Sequence, residues 1–160
     1  MKLLVLSDSH RETEYMLLAI RKERPNAVVH LGDHADDADA IAQEFPLLPL
    51  CRIRGNCDYF DDRTPEQALL RWEDVKIFAV HGHRFGVKSG LLRLTYAARE
   101  KEAQVALFGH THCAYCEELG GLWLLNPGAC GGSRPTYGVV EIKNAMAACY
   151  VKELFTEEDL

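Results

Sequence analysis

Apolar positions fall in short blocks whose period changes along the chain. Residues 2–6 read as a buried strand, and residues 12–23 as a helix with Leu17, Leu18 and Ile20 among its apolar positions, ended by Pro25. Residues 27–31 form a second buried run, 36–45 a second helical pattern, and 48–54 a third strand. Strand–helix–strand alternation at these spacings predicts βαβ units with parallel pairing. The pattern then shifts. Residues 67–72 and 75–80 flank Glu73-Asp74 as a hairpin, Ser89 is placed to cap a helix running to about Lys101, and 104–108 is another short strand. Only strand-like pieces follow: 113–118, the Gly120-Gly121 turn, 122–125, 137–142 and 147–154. The expected fold class is α/β, a sandwich of two mixed sheets flanked by helices, more parallel early and more antiparallel late.

Length and composition narrow this picture. The 160 residues make one domain spanning 1–160, because two would leave neither half a proper core. There is no internal repeat, low-complexity run or linker. Apolar residues at 48% and charged residues at 26% describe a globular chain and not a disordered one. A net charge of −6 excludes a protein that wraps duplex nucleic acid, which needs a basic face. No segment reaches the ~18–20 apolar residues of a membrane helix. The apolar N-terminus meets Asp8 too soon for a signal peptide. The expected location is therefore cytoplasmic, with Cys51, Cys57, Cys113, Cys116, Cys130 and Cys149 as reduced thiols. Cys113-Ala-Tyr-Cys116 follows His112 at the spacing of half a zinc knuckle, but no second pair accompanies it. Two small apolar strand residues is the simpler reading.

Candidate chemistry lies at the strand ends. The run 3–6 leads into Ser7-Asp8-Ser9-His10, 28–31 into Gly32-Asp33, Ile53-Arg54 into Gly55-Asn56, 77–80 into His81, and 105–108 into Gly109-His110-Thr111-His112. Five strands thus each deliver oxygen or imidazole donors at the carboxyl end, the edge where open α/β sheets bind ligands. Asp8, His10, Asp33, Asn56, His81, His110 and His112 are too many donors for one tetrahedral ion and suit two ions sharing a carboxylate. Mixed oxygen and imidazole ligands favour Mn, Fe, Zn, Ni or Co over Ca or Mg.

In their order, Asp8-x-His10, Gly32-Asp33, Gly55-Asn56, His81 and Gly109-His110-x-His112 resemble the motifs of the calcineurin-like metallophosphoesterases. Gly55-Asn56-Cys57-Asp58, His81-Gly82-His83 and Asn126-Pro127-Gly128 are similar to the small YfcE-type phosphodiesterase branch, and the likeness runs over essentially the whole chain. The resemblance implies a two-sheet metallophosphoesterase sandwich with no cap domain. It implies one divalent transition-metal ion on Asp8, His10, Asp33 and His112. Asp33 then bridges to a second ion on Asn56, His81 and His110. Manganese is the first candidate, with nickel, cobalt, iron and zinc behind it. The implied reaction is hydrolysis of a phosphate diester by a metal-bridging hydroxide attacking phosphorus in line.

One position departs from the wider family. Many relatives place His after the Asn to protonate the leaving group, where this chain has Cys57. A thiol with an ordinary pKa of ~8.5 is a poor proton donor near neutrality. Asp58 and His83 are the other candidates, and His83 has a second reading as a partner that orients His81. Asp33, Asn56, Cys57, Asp58 and His83 thus make up the expected catalytic set. Arg11 and Arg84 follow motif residues and are candidates to bind the substrate phosphate, against a reading as solvated surface. His30 is expected as a core histidine, His34 as a loop residue, and Asn126-Pro127-Gly128 as a turn beside the metals. The expected partner is a small phosphodiester or nucleotide-like substrate, and a homodimer or larger homo-oligomer is left open. The alternative is a non-catalytic protein-binding scaffold of the same fold, as in a retromer subunit with a degraded ligand set. Here every ligand position is filled.

Overall fold

In the computed structural model, which describes residues 1–159, two five-stranded sheets face each other. The strands are β1 (Lys2–Leu6), β2 (Ala27–His30), β3 (Leu50–Arg52), β4 (Gln67–Trp72), β5 (Val75–Val80), β6 (Val105–Leu107), β7 (Tyr115–Leu119), β8 (Leu122–Asn126), β9 (Thr136–Lys143) and β10 (Met146–Glu153). The helices are α1 (Thr13–Glu23), α2 (Ala38–Glu44) and α3 (Leu92–Glu100). The first sheet runs β10-β9-β1-β2-β3 and the second β4-β5-β6-β8-β7. Strand alternation divides the core into layers. Leu3 and Val5 of β1 meet Ile77, Ala79, Val105 and Leu125 between the sheets. Leu4 and Leu6 point the other way, onto Met16 and Ile20 of α1 and Ile41 of α2. Phe78 and Val80 likewise face outward onto Leu94 and Ala98 of α3. A strand covered on both faces reads as an unbroken apolar run, as β1 and β5 do.

The two-sheet α/β sandwich agrees with the expected class, and the hairpin strands β4 and β5 have the boundaries the pattern predicts. Elsewhere the structure differs in instructive ways. Ser89 does not cap α3. Its N–H donates to Gly86 O at 2.9 Å in a turn, Gly90 takes φ 143°, and the helix starts after Leu91. The second helical pattern is broken at its start by a 3₁₀ turn (Ala35–Asp37), because the Asp37 carboxylate turns inward to accept from Ser9 Oγ and the Arg11 N–H. The late strands are not uniformly antiparallel. β8 runs parallel to β6, while β9 crosses back to pair antiparallel with β1. Cys113 lies in the loop before β7, leaving Cys116 alone of that pair on a strand, its thiol donating to Cys149 O at 3.2 Å. Among the described residues no cysteine joins a candidate metal group, and no helix is long and apolar enough to cross a membrane.

One buried carboxylate ties α1 to the first sheet. Glu23 accepts from Tyr137 Oη and Lys152 Nζ, both at 2.7 Å, and from Lys2 Nζ at 3.1 Å. Burial works against its ionisation, but the Lys152, Tyr137 and Lys2 bonds outweigh this and lower its pKa to about 2. A carboxylate more acidic in the folded than in the unfolded state stabilises above its unfolded pKa and loses that contribution as pH falls through the folded value. Glu23→Gln should therefore cost about 2–3 kcal/mol at pH 7, and the difference from wild type should fade between about pH 4.5 and 2 in urea-unfolding series.

Candidate metal centre

All the strands that carry donors end at one edge of the sandwich. Asp8 and His10 follow β1, Asp33 follows β2, Asn56 lies beyond β3, His81 follows β5, and His110 and His112 follow β6. The chain turns abruptly after these strands. Asp8, His10, Asp33, His110 and His112 have φ of 52°, 47°, 57°, 71° and 60°, in the left-handed region. Each such residue costs on the order of 1 kcal/mol, and Asp, Asn and His tolerate the region better than other side chains. The turns aim successive side chains into the gap between the sheets.

Two groups result, Asp8 with His10 and His112, and Asp33 with His81 and His110, each with ligand atoms within 4.8 Å of one another. Within them, atoms approach without hydrogen bonding. Asp8 Oδ1 lies 3.1 Å from His112 Nε2, and Asp33 Oδ2 lies 3.4 Å from His81 Nε2. Asp8 Oδ1 and His81 Nε2 are nonetheless buried with no hydrogen-bond partner. The rest of each side chain is spoken for. Asp8 Oδ2 accepts from Ser7 Oγ at 2.6 Å and from the His110 N–H at 3.3 Å. Leu31 O lies 2.8 Å from His81 Nδ1 and can only accept, which puts a proton on Nδ1 and frees Nε2 as a lone pair. A buried donor atom left unpartnered in each group, beside the other ligand atoms of that group, suits a divalent cation, and the two groups fit such ions.

Asp33, His81 and His110 shift one another's protonation. Burial opposes ionisation of Asp33, but His81 and the Cys57 N–H outweigh it and hold the carboxyl below the usual range. Burial likewise opposes protonation of His81, and the Asp33 contact with the nearby Asp8 charge raises its pKa instead. His110 is lowered, first by burial and then by its neighbour His81.

A ring of partners holds the turns in place. Asp58 Oδ2 accepts from Gly55 N at 2.8 Å and Asp33 N at 3.0 Å, and Oδ1 accepts from Ala35 N at 3.0 Å. Both oxygens of Asp58, a candidate proton donor, thus accept from backbone and fix the Asp33 turn. Asn126 Nδ2 donates to Gly109 O at 3.2 Å and Thr111 Oγ1 at 2.9 Å, while its Oδ1 accepts from Gly128 N at 2.9 Å. The turn expected at 126–128 thus clamps the segment bearing His110 and His112. His30 Nδ1 accepts from Gly32 N at 3.1 Å, so its Nε2–H faces Ser9 Oγ at 2.9 Å, and Ser9 Oγ donates to Asp37. Ser7, Ser9 and Asp37 escape sequence reasoning, and the only signal in it was polar residues flanking a buried strand. Two glycines are required for clearance. A Cβ on Gly55 would strike Asp33 Oδ1, and one on Gly109 would strike Ser7 Oγ.

The remaining candidates lie around the rim. Asn56 is exposed, its Nδ2 3.6 Å from Cys57 Sγ, and the Cys57 N–H donates to Asp33 Oδ1 at 2.9 Å. The Cys57 thiol is pushed up by burial and by the Asp33 carboxylate, which keeps it protonated. The His83 ring stands 5.6 Å from that of His81 with Nδ1 buried and unpartnered. Leu31 O, and not His83, orients His81. His34 lies beside His10, with ring centroids 5.4 Å apart. Arg84 is held by Glu66 through Nε and a terminal nitrogen, each at 3.2 Å, and Arg11 pairs with Asp36 at 3.5 Å on the surface.

The chain is similar to known proteins. Residues 1–145 match the family described as the calcineurin-like phosphoesterase superfamily domain. The chain is 36% identical over 152 residues to the probable metallophosphoesterase YsnB of Bacillus subtilis, covering 92% of this chain and 88% of that protein. It is 27% identical over 169 residues to the phosphodiesterase YfcE of Escherichia coli, covering 88% of each. Chaetomium thermophilum Vps29 superposes with a TM-score of 0.79 at 18% identity, over 96% of this chain and 90% of that one, a likeness of fold alone.

The positioning role of Asp58 is directly testable. Asp58→Asn loses an acceptor for one of three backbone N–H groups and should cost about 1–3 kcal/mol in urea unfolding. Zinc affinity, measured by calorimetry, should fall roughly 10–100-fold. A side chain acting as proton donor would leave metal affinity unchanged.

Proposed function

The chain belongs to the calcineurin-like phosphoesterase superfamily, and on that premise we propose that it hydrolyses a small phosphodiester at the paired donor groups. The observation that carries this reading is the convergence of buried, unpartnered donor atoms, Asp8 Oδ1 and His81 Nε2, at the shared strand-end edge. Asp8, His10 and His112 hold one divalent transition-metal ion, with manganese the first choice, and Asn56, His81 and His110 hold a second, with Asp33 shared between them. When bound, two such ions supply a water ionised near neutral pH and positive charge for the phosphoryl oxygens. The side chains do the rest. Leu31 O fixes the tautomer of His81, and Asp58 and Asn126 hold the donor-bearing turns still. Cys57 and His83 flank the groups as candidates to protonate the leaving group. With the thiol pushed up, diesters with good leaving groups are favoured over monoesters. Six free thiols suit a reducing, cytoplasmic setting.

The second reading, a protein-binding scaffold, draws on the fold shared with Vps29. The filled donor set favours the hydrolase. Chelator-stripped protein should regain hydrolysis of bis(p-nitrophenyl) phosphate when manganese, nickel, cobalt or zinc is restored. Folded protein inactive with every metal would leave the scaffold reading standing. Asp33→Asn should lose at least ~100-fold in rate and weaken bound metal at the same time. Full rate with both ions retained would remove Asp33 from its shared position. Cys57→His should raise monoester relative to diester hydrolysis, and an unchanged ratio would exclude a proton-donor role at that position.

A further inference from the structure

A hollow of about 700 Å³ opens beside the donor groups, walled by Arg11, His34, Cys57, Tyr59, Phe60 and Arg63. Three of these residues directly follow candidate ligands: Arg11 follows His10, His34 follows Asp33, and Cys57 follows Asn56. A molecule with its phosphate at the donor groups therefore has this hollow within reach. The volume lies within the range of small-molecule sites, roughly 300–1,000 Å³.

Two neighbouring aromatic side chains stand in solvent at its edge, Phe60 101% and Tyr59 80% exposed. Scattered exposed apolar residues need no explanation, but two adjacent aromatics lining one polar hollow offer a contact surface. The loop presenting them is held at both ends. Asp58, just before Tyr59, accepts the three backbone N–H groups described above. Asp61, just after Phe60, accepts from the N–H groups of Arg63 at 3.1 Å and Thr64 at 2.9 Å, and its carbonyl accepts from Arg54 at 2.7 Å. A tip stapled in this way leaves little backbone entropy to lose on binding.

Charge decides what fits there. Arg11 is paired with Asp36, and Asp58 and Asp61 are occupied by backbone N–H groups. Counted with Asp62 and Arg63, the lining sets four carboxylates against two guanidinium groups. The hollow has no excess positive charge for a second phosphate and suits a flat, neutral, hydrogen-bonding ring. We infer that it receives the base of a nucleoside phosphodiester, stacked on Tyr59 and Phe60, with Asp36 and Asp62 as acceptors for amino or hydroxyl groups. The inference rests on the hydrolase reading only for the position of the phosphate.

Binding and turnover test the two claims separately. On zinc-loaded protein, adenosine 5′-monophosphate should bind about tenfold more tightly than ribose 5-phosphate by calorimetry, as one base–aromatic stack allows. Phe60→Ala and Phe60→Leu should each erase most of that difference. The same variants should lower the kcat/KM preference for thymidine 5′-(p-nitrophenyl phosphate) over methyl p-nitrophenyl phosphate, which share a leaving group. Equal binding of the two monophosphates, or a preference indifferent to Phe60, would overturn the assignment even with hydrolysis intact. A Phe60-dependent preference in a protein that hydrolyses no diester would support the base site and remove the hydrolase reading. If Phe60→Ala changes the sedimentation coefficient but not nucleotide affinity, the rings belong to an interface between copies and the proposal fails.

Discussion

Asp8 places a carboxylate in the fully buried interior with one oxygen, Oδ1, that no hydrogen bond among the described residues satisfies. An uncompensated buried charge costs several kcal/mol, so the surroundings have to be arranged around it. Ser7 and the His110 N–H take the other oxygen, and His10 and His112 bring imidazoles to the open one. Gly109 has to lack a Cβ for this approach to exist. The second group repeats the device with His81 Nε2, unpartnered and facing Asp33. Both sheets contribute to the gap, so the sandwich must close before either group can form.

Closure has a local cost. Five donors sit in the left-handed region, and such strain persists only where the surroundings over-determine it. Here the surroundings are hydrogen bonds of long sequence separation. Asp58 holds the Asp33 turn, Asn126 holds the His110 segment, and the His30–Ser9–Asp37 chain braces the loop after β1. They keep the ligand atoms from relaxing away from one another, which is the usual work of residues behind a metal ligand.

Legibility along the chain tracked how local each determinant was. The hairpin at 67–80 was readable to the residue because two apolar runs flank a two-residue turn. The start of α3 was not, since Ser89 offers the right side chain and Gly90 bends the backbone away from it. Donor types and their strand-end positions were readable from composition and order. The work of Asp58 was not, because a carboxylate after Asn56 looks the same whether it faces a substrate or three backbone N–H groups.

By itself the sequence determined the inventory: which strands are buried, which donors follow them, and that these donors suit a pair of transition-metal ions. Those properties are periodic or adjacent, and short-range sterics and hydrophobic pattern are enough to express them. Only the tertiary structure decided which polar side chains brace the donor turns, as Asp58 and Asn126 do, and that Tyr59 and Phe60 line a hollow with Arg11, His34 and Cys57. These outcomes depend on β5 and β6 meeting β1 and β2 across the sandwich, and on β9 returning to β1. Residues as far apart as Asp8 and His112 become neighbours only when the sheets pack, and no pattern along the chain encodes that distance.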